Sequence, residues 1–327
     1  MKASLLALTS LATLAVSSPT PRASKVQYAG VNIAGFDFGC TIDGRTTESR
    51  GKYLLTMARG PMNHFVKDDS LNAFRLPVGW QFLVNGQLGG QLNFNNAGQY
   101  DRLVQGCLNS GAALCILDIH NYTRWNGQII GQGGPSNAQL ANVWKQLATK
   151  YAWAATVQAV VTAIRNAGAA NYLILLPGNG FTSAESFVSS GSGAALAAVT
   201  NPDGSNSNLI MDVHKYLDSD NSGTHTECVK DNISNAFQPL ADWLRSNNRQ
   251  AILTETGGGN TQSCQQYMCS QLKYLNQNAD VYIGHTGWAA GGFASSYELN
   301  ETPTQNGNSW SDTSLVKSCI VGVWKGQ

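Results

Sequence analysis

The 327-residue chain balances 21 Lys and Arg against 20 Asp and Glu, a net charge of +1, and only 13% of its residues are charged. That balance leaves no basic stripe for nucleic acid and no acidic tail, and no apolar run beyond the N-terminus is long enough to cross a bilayer, so neither nucleic-acid nor membrane partners are expected. Apolar residues at 43% suffice for one large core, and 34 glycines with many Asn, Gln, Ser and Thr suit a surface that hydrogen-bonds neutral polar partners.

The chain opens with Lys2, an apolar run from Leu5 to Val16, and the small residues Ser17 and Ser18. That pattern predicts a secretory signal peptide over 1–18 and one extracellular domain over 19–327, since no Pro- or Ser-rich linker divides the remainder. Seven cysteines (Cys40, Cys107, Cys115, Cys228, Cys264, Cys269 and Cys319) then imply disulfides and one odd thiol. Spacing leaves the pairing open, and it lacks the close Cys/His pairs of a zinc site, so no metal and no cofactor are expected.

Apolar, β-branched runs follow in order at Val31–Phe38, Phe74–Val78, Leu114–His120, Leu173–Gly178, Leu209–Tyr216, Ala251–Gly257 and Tyr282–Trp288. Several are continuous rather than alternating, as strands buried on both faces of a parallel sheet are. Helices are predicted between them, among them Ala97–Gly111, Asp231–Asn247 and Cys264–Asn276, which makes the fold class α/β.

One place breaks the alternation. From Asn137 through Ala167 the pattern reads as unbroken helix with no internal Gly, Pro or turn cluster, where an α/β alternation requires a strand. About seven strands are therefore predicted where eight close a (β/α)8 barrel.

Most of these strands end on a residue suited to chemistry: Arg75, His120, His214, Tyr216, Glu255 and Trp288. In a (β/α)8 barrel the carboxyl ends of different strands meet at one mouth, so these scattered positions become one site. Glu255 stands at its centre, delivered by Ile252-Leu253-Thr254 just before Gly257-Gly258-Gly259, where the backbone can turn sharply. Taken singly, each has a plainer role, a cap for Glu255 or a buried ion-pair partner for Arg75; their recurrence at equivalent strand ends favours the shared cleft.

The stretches Gly30–Gly39, Phe74–Trp80, Asp118–Tyr122, Asp212–Asp218 and Leu253–Gly259 resemble the fungal endo-β-1,4-glucanases of glycoside hydrolase family 5, over nearly the whole chain in order. The resemblance implies a TIM barrel, a secreted monomer, cellulose or a related β-1,4-glucan as partner, and retaining double displacement with Glu255 as nucleophile. It implies that Arg75, His214 and Tyr216 orient Glu255 and keep it ionised, and that His120, Asn121 and Trp288 line the cleavage subsite. Trp125 is a candidate stacking platform or an ordinary packed Trp. The pairs Cys107–Cys115, Cys228–Cys264 and Cys269–Cys319 are implied as well, with Cys40 left over. No cellulose-binding module is expected in this chain. Of the sequons at Asn121, Asn232 and Asn300, the first falls in the predicted cleft and is the least suited to carry a glycan.

The family's fourth strand ends in Asn-Glu-Pro, whose Glu is the general acid/base, and that tripeptide does not occur here. Tyr151-Ala152 runs directly into Trp153-Ala154 between two family-like helices. Glu185 and Glu301 do not stand at the matching strand end. Loss of the strand predicts a distorted barrel, because a closed sheet accepts neither two new edges nor a different shear easily. Three readings follow: an endoglucanase gene translated incompletely, a secreted glucan-binding pseudoenzyme, or an enzyme that attacks but cannot protonate.

Overall fold

In the computed structural model, residues 25–46, 54–151, 157–166, 168–169 and 171–326 are described. The predicted signal peptide and the Ala152–Trp153 junction lie outside them.

Seven strands form one parallel sheet: β1 (Tyr28–Ala34), β2 (Ala73–Val78), β3 (Leu114–Ile119), β4 (Ile174–Pro177), β5 (Leu209–His214), β6 (Gln250–Thr256) and β7 (Tyr282–Gly291). All seven predicted runs are strands, and β1 begins and ends earlier than its run. Their order is β3-β2-β1-β7-β6-β5-β4. Registers such as Asn32↔Arg75 and Phe74↔Cys115 bring successive strand ends level.

The sheet is curled, because Arg75 on β2 touches Glu255 on β6 although β1 and β7 stand between them. It is not closed. β3 and β4 are the two edges, and the strand missing from the alternation is the one that would join them. Burial follows this layout: every residue of β2 is buried, whereas β3 is mostly half-exposed and β4 ends exposed.

Local sequence explains the surrounding helices. Helix α1 covers Leu54–Lys67. Helix α2 (Phe94–Ser110) starts on Asn93, whose side chain accepts from the amides of Asn95 and Asn96, and stops at Gly111 with φ 91°, a conformation cheap only for glycine. Within the stretch read as one helix from Asn137 to Ala167, the described residues form helix α3 (Asn137–Tyr151) and helix α4 (Val157–Asn166), and the residues between them lie outside the description. Ser136 and Gln139 close a reciprocal capping box at the start of α3, with bonds of 2.8 and 3.2 Å. Helix α5 (Gln238–Ser246) follows an irregular turn at Ile233–Phe237, and α6 (Gln262–Gln277) is capped by Thr261.

The disulfides join Cys107 to Cys115, Cys228 to Cys264 and Cys269 to Cys319, and Cys40 is free. The first ties α2 to the edge strand β3. Two apolar clusters fill the fold, a large one between sheet and helices and a small one of Ile116, Ile210, Ile252 and Ile283.

Candidate active site

Glu255 lies buried near the end of β6. Arg75 Nη1 donates to its Oε1 at 2.5 Å, and the Tyr216 hydroxyl donates to its Oε2 at 2.9 Å. His214 Nδ1 stands 3.5 Å from Oε2. Arg75 is held in turn by Asn32 Oδ1 at 3.0 Å and by Asp118 Oδ2 at 3.0 Å. A guanidinium shared by two carboxylates cannot rotate away from either without leaving a buried charge unmatched.

Burial works against the charge on Glu255, but His214 and Arg75 beside its oxygens outweigh it and hold the carboxyl below its ordinary range. Burial also pushes His214 below the ordinary histidine value, so Arg75 and His120 are the cations near Glu255 at neutral pH. The Thr254 hydroxyl donates to Asp212 and therefore accepts from His214 Nε2, 3.0 Å away. That network assigns the imidazole N–H to Nε2.

His120, one residue past β3, lies between Asp118 Oδ2 at 2.8 Å from Nδ1 and the Tyr122 hydroxyl at 3.2 Å from Nε2. Burial alone would lower its pKa, yet the Asp118 carboxylate outweighs that and lifts it to about 8. Asp118 is depressed to about 2, since Arg75 and His120 overcome the cost of its burial. Trp288 stacks on His120 with centroids 5.5 Å apart and planes 20° apart. Phe293 lies edge-on to Trp288 at 6.4 Å and stacks on Tyr297 at 4.0 Å, extending the aromatic wall.

Six of the eight site residues expected from the sequence (Arg75, His120, His214, Tyr216, Glu255 and Trp288) thus form one connected group. The other two point elsewhere. Asn121 is buried, with Oδ1 accepting from the Trp80 amide and Nδ2 donating to Gln81, both at 2.5 Å. Trp125 is only 6% exposed and packs edge-on against Trp80 at 4.9 Å, so neither of its faces is open to a sugar. Asp118 and Asp212 were not singled out, although each precedes a site histidine by two residues. In a strand that spacing puts both side chains on one face.

Five other carboxylates stand near this group or were considered for it; one is Asp37, whose Oδ1 accepts from the Gly35 amide and whose pKa burial raises. Asp118 bridges Arg75 and His120, and Asp212 lies behind Thr254. Lys215 binds Glu185 at 2.7 Å and helps lower its pKa, so it stays ionised. Glu301 is kept neutral by burial, against Gly287, and neither of its oxygens has a hydrogen-bond partner. Among the described residues, neither of the groups of three or more His, Cys, Asp or Glu that could ligate a metal includes Glu255.

Residues 31–152 and 152–293 match the cellulase family, glycosyl hydrolase family 5. The chain belongs to that family. The two matched stretches meet at residue 152. The chain is 61% identical to endoglucanase EG-II of Hypocrea jecorina, over 91% of this chain and 78% of that one. It superposes on the crystal structure of Cel5A (EG2) from the same organism with a TM-score of 0.86 at 58% identity, covering 90% of this chain and 98% of the other. XacCel5A, solved in complex with cellopentaose, matches with a TM-score of 0.76 at 28% identity, over 89% and 98% of the two chains. Membership makes the chain a glycoside hydrolase by descent, with the open-barrel form of the family fold.

Proposed function

We propose that this chain carries the nucleophile half of a retaining endo-β-1,4-glucanase, exported from the cell and bound to β-1,4-glucan. The observation that carries this reading is Glu255 itself, a buried carboxylate kept ionised and aimed by Arg75 and Tyr216, with His214 packed beside it. A glycosidase nucleophile must be charged and immobile while its neighbours remain too occupied to compete. Glu255 attacks the anomeric carbon, and the bond to the leaving oxygen breaks with its electron pair staying on oxygen. Trp288 offers a flat apolar face to the sugar ring, and His120, fixed by Asp118, offers a donor to its hydroxyls.

The second half is a proton donor about 5–5.5 Å from Glu255; Asp118, Asp212 and Glu185 are held by Arg75, Thr254 and Lys215, and neither Asp37, after β1, nor Glu301, after β7, stands between β3 and β4. Without it a poor leaving group departs roughly 10²–10⁴-fold more slowly. The test is intact-mass spectrometry after incubation with an aryl β-cellobioside whose leaving group needs no proton. A persistent cellobiosyl adduct that Glu255→Gln abolishes supports the proposal; rapid turnover of an unactivated β-glucan contradicts it.

The abutting matches at residue 152 favour a second reading, in which the gene encodes a longer chain and the strand between β3 and β4 is missing from this translation. Sequencing the transcript across the codons for Ala152 and Trp153 decides it. An inserted strand ending in a carboxylate supports it, and the same junction in the mature message excludes it.

A further inference from the structure

We propose that His64, Asp69 and Asp312 form a divalent-cation site at the end of α1, sharing no residue with the candidate active site. His64 and Asp69 come from the end of α1 and the turn after it; Asp312 lies close to the C-terminus. His64 Nε2 stands 3.0 Å from Asp312 Oδ1 and 3.3 Å from Asp69 Oδ2. The three candidate ligand atoms all lie within 4.8 Å of one another. Metal–ligand bonds of about 2.0–2.2 Å place neighbouring ligand atoms roughly 3.0–3.5 Å apart, which both measured edges satisfy.

Two further observations point to a ligand rather than to a plain ion pair. The first is Asp69 Oδ2. The residue is 6% exposed, and this oxygen has no hydrogen-bond partner, because a single Nε2–H cannot serve two acceptors and the one on His64 is directed to Asp312. The second is the other ring nitrogen. His64 Nδ1 bonds Asp68 Oδ2 at 2.6 Å, so the imidazole is clamped by a carboxylate on one side and presents its opposite nitrogen to two more. That is the arrangement by which proteins fix the tautomer and orientation of a ligating histidine.

The turn after α1 builds this geometry from sequence. The amides of Asp68 and Asp69 both point back to the His64 carbonyl, at 2.8 and 3.4 Å, which folds the two carboxylates onto the histidine of their own helix. Trp310 stacks on the ring at 5.8 Å and shields it. Lys325 stands 3.9 Å from Asp69 Oδ1. One imidazole nitrogen and two carboxylate oxygens suit a hard or borderline divalent ion such as Mn²⁺ or Zn²⁺. Bound there, it would clasp α1 to the C-terminal segment, a structural role independent of the chemistry at Glu255.

The test uses the full chain, treated with chelator and then titrated with Mn²⁺, with free Mn²⁺ followed by electron paramagnetic resonance. One Mn²⁺ per chain is expected, with binding lost in Asp69→Asn and Asp312→Asn. Asp68 is exposed, so Asp68→Asn is expected to fold normally and bind roughly 10–100-fold more weakly, the usual cost of removing a carboxylate that orients a ligand. Absence of stoichiometric binding, or equal affinity in the wild type and all three variants, overturns the proposal.

Discussion

The two sides of the sheet were built to different standards. On one side β2, β1, β7 and β6 are bonded on both flanks, buried, and deliver Arg75, Asn32, Trp288 and Glu255 into a network where every charged group is matched. On the other, β3 and β4 are the edge strands among the described residues; β3 is mostly half-exposed and β4 ends exposed. In the proposed mechanism the nucleophile rests mainly on the first side, with Asp118 of β3 holding Arg75 from the edge. A proton donor between β3 and β4 needs the second, so loss of one strand divides the mechanism rather than abolishing the site.

That contrast can be broken at the complete side most forcefully. Glu255→Gln should remove covalent glycosylation by activated substrates altogether, read by intact mass, with the fold retained because the Gln amide oxygen can still accept from Arg75 while its NH2 donates to the Tyr216 hydroxyl oxygen. Arg75→Ala should be next. It strands Glu255 and Asp118 as buried charges, and breaking such a pair costs about 3–5 kcal/mol, measurable by urea unfolding. A loss below about 1 kcal/mol would mean that water already screens the network.

The open side gives smaller effects. Replacing Cys107 and Cys115 by Ser frees the edge strand β3 from α2, and the short loop they close predicts a loss of roughly 2–3 kcal/mol. If β3 were held as firmly as β2 by pairing alone, the loss would be smaller. His120 gives the finest test, because it links the edge to the network. Its pKa is raised to about 8, so its contribution is complete below pH 6.5 and disappears as pH rises through 8. A shift of that size corresponds to about 2 kcal/mol. Unfolding free energy should therefore fall between pH 6.5 and 8.5, and His120→Asn should flatten that fall. His64 is raised as well and contributes in the same direction, so only the difference between wild type and variant isolates His120. His285, depressed by burial to about 4, acts in the acid range, where rising pH adds stability.

Much of this was legible in the sequence because buried parallel strands announce themselves as continuous apolar runs. All seven appear that way, and so does the gap between β3 and β4. Strand-end residues were legible for the same reason, since their position follows from where the run stops. Side-chain direction in the loops was not. Tyr122, Thr123 and Asn126 adopt φ of 51°, 55° and 48°, which folds the segment after β3 into a short hairpin and turns Trp125 inward onto Trp80. Asn121 is drawn the same way by the Trp80 amide.

The central claim is a competent nucleophile without a proton donor, and the anomeric outcome of azide trapping tests it most directly. With an activated aryl β-cellobioside, azide needs no general base and can displace Glu255 from the glycosyl-enzyme, forming a carbon–nitrogen bond as the carboxylate leaves. Two inversions then give the β-cellobiosyl azide, identifiable by nuclear magnetic resonance, and its rate of formation should rise with azide concentration. An α-azide would mean single displacement without Glu255 as nucleophile, and no azide product at all would mean that the carboxylate, however well held, does not attack.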